Sequence, residues 1–108
     1  MKTKINLELL AVRITGHHVE MTEQIKNYIE KEVTRLDKFF NGIIDVEVIL
    51  RQDTKHNHLK EVGIMVKVYE HKLTAKATDQ DILKAFDKSL TKVEKQLIKF
   101  KDKLKSHR

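Results

Sequence analysis

Residues 82–104 read ILKAFDKSLTKVEKQLIKFKDKL, and two stripes run through them. Ile82, Phe86, Leu90, Val93, Leu97, Phe100 and Leu104 recur at the three- and four-residue spacing of an α-helix. Lys84, Lys88, Lys92, Lys95, Lys99 and Lys103 recur at the same spacing, roughly 145° round from the apolar stripe at about 100° per residue. The stretch predicts a helix that buries one face and offers six ammonium groups on another. A long apolar stripe needs a partner surface, which the rest of the chain must supply. Thr78-Asp79 reads as the cap, with Asp79 and Asp81 suited to the N-terminal dipole. About 26 residues would make a helix ~39 Å long, whereas a seven-residue strand spans about 23 Å. Residues 99–108 are therefore expected to overhang the sheet and carry Lys99, Lys101, Lys103, Lys105 and Arg108 into solvent.

Working back from this helix, three segments alternate with period two. Val46, Val48 and Leu50 alternate with Glu47, Ile49 and Arg51. After a polar loop over 52–59, Val62, Ile64, Val66 and Val68 alternate with Gly63, Met65, Lys67 and Tyr69. Glu70-His71 is expected to form a tight turn, after which Leu73, Ala75 and Ala77 face one way. Upstream, Thr22 caps a helix predicted to run through Phe40, with Ile25, Ile29, Val33, Leu36 and Phe40 as its stripe and Asn41-Gly42 as its stop. Its opposite side carries Lys31, Arg35 and Lys38. Residues 5–15 read as a strand whose phase shifts near Leu9–Leu10, from a bulge or from a short extension before the true strand, and Gly16 is expected to end it.

The order is β-α-β-β-β-α. It predicts an α+β fold of two layers: a four-stranded sheet with both helices on one face, a double-stranded-RNA-binding-domain-like arrangement. A chain of 108 residues is expected to be one domain, 1–108, with 1–10 as an N-terminal extension. Without cysteine, neither disulfides nor thiolate metal sites can form. Residues 1–10 lack the apolar run of a signal peptide, and no stretch approaches the ~20 apolar residues of a membrane span.

Charge narrows the function. Residues 92–108 hold seven Lys/Arg against Glu94 and Asp102, which is +5 of the formal +6. A lysine-rich outer face is by itself ordinary, because Lys is a good helix former. Two features argue for more. Carboxylates hardly interrupt the stripe, whereas solvated helices usually mix signs. Lys31, Arg35 and Lys38 could also line a shared basic cleft if the two helices lie side by side. Such a surface suits a polyanion, with phosphate backbone foremost, contacted for position and hold rather than for base reading. A protein-interaction module whose basic helix docks an acidic regulatory protein is the alternative.

Other chemistries find little support. His17-His18 and His56-x-His58 sit in predicted loops without the converging ligand set that a metal requires, so no metal site is expected. Gly16, Gly42 and Gly63 are too far apart for a phosphate loop, and Ser89 and Ser106 belong to no catalytic constellation; no enzyme activity and no cofactor are expected. Tyr28, Phe39, Phe40, Phe86 and Phe100 lie at or beside core stripes. Tyr69 is expected on the open sheet face, without an aromatic platform for stacking bases.

Two separated motifs carry a family resemblance. Ile14-Thr15-Gly16, Val19-Glu20-x-Thr22-Glu23, Ile25, Tyr28-Ile29, Lys31 and Leu36-Asp37-Lys38-Phe39-Phe40 resemble the opening of the ribosome hibernation promoting factor family, which includes ribosome-associated inhibitor A. Asp79, Asp81, Ala85, Asp87, Lys92-Val93-Glu94-Lys95-Gln96-Leu97 and residues 99–105 resemble its closing helix. Lys95 stands where Arg is common, keeping the charge without the bidentate geometry. The resemblance implies a cytoplasmic bacterial factor of stationary phase and stress. It implies binding to the 30S subunit and 70S ribosome, on 16S ribosomal RNA in the tRNA/mRNA channel, so that translation is blocked and inactive 70S or 100S particles are favoured. By position it implies RNA contacts from Lys31, Arg35, Lys38, Lys84, Lys88, Lys92, Lys95, Lys99, Lys101 and Lys103. The ending after the helix is similar to the short form, which works with a separate small ribosome-dimerising factor and is expected to be monomeric off the ribosome.

Overall fold

The strands pair as the alternation requires. In a computed structural model, which describes residues 11–38, 42–52 and 59–106, the order is β1 (Ala11–His17), α1 (Glu23–Thr34), a 3-10 turn (Arg35–Lys38), β2 (Ile43–Gln52), β3 (Lys60–Val68), β4 (His71–Asp79) and α2 (Ile82–Ser106). The sheet order is β1-β2-β3-β4, with β1 parallel to β2 and the other neighbours antiparallel. A parallel pair cannot be joined by a hairpin, so α1 serves as the crossover. Ile14, Val48, Ile64 and Ala75 form one cross-strand row facing the helices, while the next row, Thr15, Ile49, Gly63 and Lys76, faces away. Val46, Val48, Leu50, Val62, Ile64, Val66 and Val68 form one core with Ile29 and Val33 of α1, Leu36 of the 3-10 turn, and Phe86, Val93 and Leu97 of α2. Both helices therefore cover the same sheet face, as the two-layer expectation requires.

Several boundaries differ from the sequence expectation, each for a local reason. Gly16 lies inside β1, opposite Leu50, and the chain turns at His18, whose φ is 61°. A Cβ on Gly16 would stand 3.1 Å from the Val19 carbonyl oxygen, so this glycine permits the close return of the chain. The Leu9–Leu10 phase shift lies outside the described residues. The α-helix expected to reach Phe40 ends at Thr34, whose hydroxyl donates to the Lys31 carbonyl at 2.9 Å. The Arg35 N–H bonds to the carbonyls of Glu32 and Val33, tightening the last turn into a 3-10 helix that still buries Leu36. Phe39, Phe40 and Asn41 lie outside the described residues. β2 starts at Ile43, ahead of the regular alternation, because a bulge between Ile43 and Asp45 puts Ile43 in the core and Ile44 in solvent.

Two turns also move. The β3–β4 turn is Tyr69-Glu70 rather than Glu70-His71: Val68 pairs with His71, and Glu70 takes φ 61°. Tyr69 is consequently on the turn and 72% exposed, not on the open sheet face. The cap of α2 is Asp81 rather than Thr78-Asp79, because β4 continues through Asp79. Asp81 Oδ1 accepts from the N–H groups of Leu83 and Lys84 at 2.9 and 3.4 Å, and Asp79 Oδ1 accepts from the Asp81 N–H at 2.9 Å. An N-cap of this kind stabilises by about 1 kcal/mol. The Thr22 cap stands as read, its hydroxyl accepting from the Ile25 N–H at 3.1 Å.

Candidate polyanion-binding surface

The apolar stripe of α2 seats the helix over β3 and β4, and that seating decides which neighbours its two flanks meet. One flank meets α1. The Tyr28 hydroxyl donates to Asp87 Oδ1 at 2.8 Å, and the Tyr28 ring meets Phe86 edge-on with centroids 6.0 Å apart. The other flank meets the edge of β4. Lys88 Nζ donates to the Thr78 carbonyl at 3.2 Å and pairs with Asp79 Oδ2 at 2.9 Å. Lys92 Nζ donates to the Lys76 carbonyl at 2.8 Å, and Gln96 Nε2 to the Thr74 carbonyl at 2.7 Å.

This arrangement corrects the shared-cleft expectation. Lys88 and Lys92 stand on the flank of α2 away from α1, while the flank facing α1 presents Asp87. On α1, Lys31 is exposed, and Arg35 pairs with Glu32 at 2.7 Å. Lys38 lies in the 3-10 turn, and its side chain is outside the description. Lys84, Lys95 and Lys99 are exposed; Lys84 lies near enough to Asp79 for its charge to help hold that carboxyl down, while Lys95 and Lys99 have no ion pair or hydrogen bond among the described residues. Lys101 and Lys103 are exposed beyond Phe100, whose ring meets His71 at the start of β4 in a tilted contact, with centroids 5.1 Å apart and planes 58° apart. Lys101 lies roughly 150° round the helix from the lysine stripe. Lys76, Lys88, Thr91, Lys92 and Lys95 line an open groove of about 620 Å³ between the outer side of α2 and β4. Lys88, Lys92 and Lys95 bring cationic side chains to it from α2, while Lys76 meets it through the backbone carbonyl that Lys92 holds.

Two titrations follow from these contacts. The Asp81 N–H, then Lys88, hold the Asp79 carboxyl below its usual 3.8. A depressed carboxyl stabilises the fold above that value, and the contribution fades as pH falls through the folded-state pKa. For Tyr28 the hydrogen bond to Asp87, then partial burial, push the phenol up to about 12 from 10.0. A raised phenol pKa favours the folded state fully below pH 10.0, and the benefit disappears as pH rises towards 12. The Tyr28→Phe variant should therefore be less stable than wild type at neutral pH. The gap between the two urea midpoints should close between about pH 10 and pH 12. An unchanged gap across that range would contradict the assigned hydrogen bond.

Sequence reading alone missed Lys76, Gln96 and the Tyr28–Asp87 tie. Lys76 alternates with the core-facing Ala75 and Ala77, but nothing local says that β4 is an edge strand. Tyr28 and Asp87 lie 59 residues apart. Ser89 is buried, and its hydroxyl donates to the Phe86 carbonyl at 3.0 Å, within its own helix. Among the described residues, no three His, Asp or Glu side chains are grouped to hold a metal ion, and no helix is long and apolar enough to cross a membrane. His56 and His58 lie outside the described residues.

The family model described as Sigma 54 modulation protein / S30EA ribosomal protein matches residues 12–105. A protein of Salmonella typhimurium named ribosome hibernation promoting factor is 34% identical over 98 residues, spanning 91% of this chain and 100% of that protein. A ribosomal subunit interface protein from Coxiella burnetii has a similar structure, with TM-score 0.77 and 25% identity over 85% of this chain and 98% of that one. The Thermus thermophilus Protein Y N-terminal domain superposes with TM-score 0.72 and 26% identity, over 82% of this chain and 94% of that domain.

Proposed function

The chain belongs to the Sigma 54 modulation protein / S30EA ribosomal protein family and is a ribosome-associated hibernation factor, and we propose that it acts by laying the basic face of α2 on the small ribosomal subunit. In this reading the 30S subunit, alone or within 70S, is the partner, and 16S ribosomal RNA in the tRNA/mRNA channel is the contacted polymer. Lys84, Lys95 and Lys99 lead the contact, with Lys31 contributing from α1 and Lys101 and Lys103 from the end of α2. The chain works by occupancy, without cofactor or chemical step, and its place is the cytoplasm, where ribosomes are. A separate small factor would pair the silenced particles into 100S.

The observation that carries this reading is the set of exposed ammonium groups along α2, Lys84 near Asp79 and Lys95 and Lys99 without an ion pair among the described residues, in a chain of this family. Backbone contacts of that kind hold without reading sequence. The test is competition on purified 30S subunits between the chain and tRNA bound at the P site. Mutual exclusion, with translation of a reporter mRNA falling in step, supports occupancy of the channel. Simultaneous binding of both at saturation would overturn it.

A further inference from the structure

The carbonyl contacts on the outer flank of α2 form a ladder. β4 is the edge of the sheet, so the carbonyls of Thr74, Lys76 and Thr78 point away from β3. Three side chains spaced four residues apart meet these three carbonyls in reverse order, Lys88 to Thr78, Lys92 to Lys76 and Gln96 to Thr74. The two repeats are commensurate: four helical residues rise about 6 Å, and two strand residues about 7 Å. Gln96 takes the third rung without a charge, so hydrogen-bond donation is what the three rungs have in common. An uncovered edge strand is a template for pairing with another chain, and covering it prevents that.

We infer that the lysine row of α2 divides into two functions: Lys88 and Lys92, with Gln96, act as a side-chain cover that closes the β4 edge, while Lys95 and Lys99, with Lys84 beyond its weak attraction to Asp79, are the cations that meet phosphate. The second half rests on the ribosomal reading above; the first does not. Lys88 is further committed by its pair with Asp79 at 2.9 Å, which offsets its charge. Lys88 and Lys92 are thus positioning residues, which fix the outer side of α2 against β4 and hold the neighbouring Lys95 in place.

Substitution by a donor without charge separates the two functions. Lys92→Gln keeps a donor of the kind Gln96 uses, and Lys92→Met removes it. Lys95→Gln removes the charge of a residue assigned to phosphate. Melting temperature and self-association by light scattering report the edge, and the salt dependence of binding to purified 30S subunits reports phosphate contacts. Lys92→Met should melt about 4 °C lower and show mass rising with concentration, whereas Lys92→Gln should melt within about 1 °C of wild type and stay monomeric. The slope of log affinity against log salt should fall by about 0.9 for Lys95→Gln and by less than about half that for Lys92→Gln. A full loss of slope in Lys92→Gln, or a Lys92→Met protein as stable and monomeric as wild type, would overturn the division. If wild type itself fails to bind 30S, the ribosomal reading falls, and the edge cover still stands or falls on melting and scattering.

Discussion

Replacing Lys84, Lys95 and Lys99 together with glutamate should abolish binding to the small subunit while leaving the fold intact. The three side chains are exposed, and the one interaction they make among the described residues is the attraction of Lys84 for the surface carboxylate of Asp79, so reversal removes no contact that the core depends on. Surface changes of this kind usually alter stability by less than about 0.5 kcal/mol each. Binding is another matter. Three charge-assisted contacts at about 1.5 kcal/mol each amount to a loss of roughly a thousandfold, before repulsion between glutamate and phosphate is added. A control with the same change of charge, Lys26, Lys67 and Lys72 to glutamate, places the reversal on exposed positions of α1, β3 and β4 instead. It should cost far less affinity, because long-range attraction between exposed charges is screened beyond about 8 Å at physiological salt. Equal losses in the two triple variants, measured by titration against fluorescently labelled 30S subunits, would mean that net charge rather than the crest of α2 drives association.

The largest effect on the fold should come from Phe86→Ala. Phe86 is fully buried, belongs to the core shared by the sheet and both helices, and takes the Tyr28 ring against its edge. Truncating a buried phenylalanine costs about 4 kcal/mol through lost transfer energy and the cavity left behind. Against a total stability of roughly 5–15 kcal/mol, that leaves a protein near the limit of folding, with a melting temperature lower by roughly 20 °C. The loss should also loosen the Tyr28–Asp87 tie, since ring and hydroxyl are held by adjacent residues of α2. Thermal melts followed by circular dichroism give the answer directly. A fall of under about 5 °C would mean that the two helices are not packed through this residue.

How much of this was legible in the chain depended on the range of the signal. Val62, Ile64, Val66 and Val68 alternate without a fault, and β3 runs where they put it. The α2 stripe from Ile82 to Leu97 was equally plain, because more than four turns of regular spacing leave no competing period. Where one residue changes the phase, reading faltered. The bulge at Ile43–Asp45 interrupts the alternation, so the start of β2 was hidden. The α2 cap was misplaced because Thr78, Asp79 and Asp81 all have capping chemistry, and only the pairing of Lys60 with Asp79 keeps the strand going to its end. For the candidate surface, periodicity gave the lysine row but not its surroundings. Which flank meets α1 and which meets an edge strand is decided by strand order, and strand order is a property of the whole chain. Lys88 and Lys95 look alike in sequence; one is tied to Asp79 and Thr78, and the other is not.

The central claim is that this chain engages the small ribosomal subunit specifically, through phosphate contacts, and silences ribosomes by remaining there. Co-sedimentation of the purified chain with 30S, 50S and 70S particles on sucrose gradients, at two salt concentrations and with duplex RNA as competitor, tests it most directly. The account predicts near-stoichiometric migration with 30S and 70S but not 50S, undisturbed by duplex RNA and weakening steeply as salt rises. Failure to migrate with 30S at low salt, or displacement by an equal mass of duplex, would contradict it.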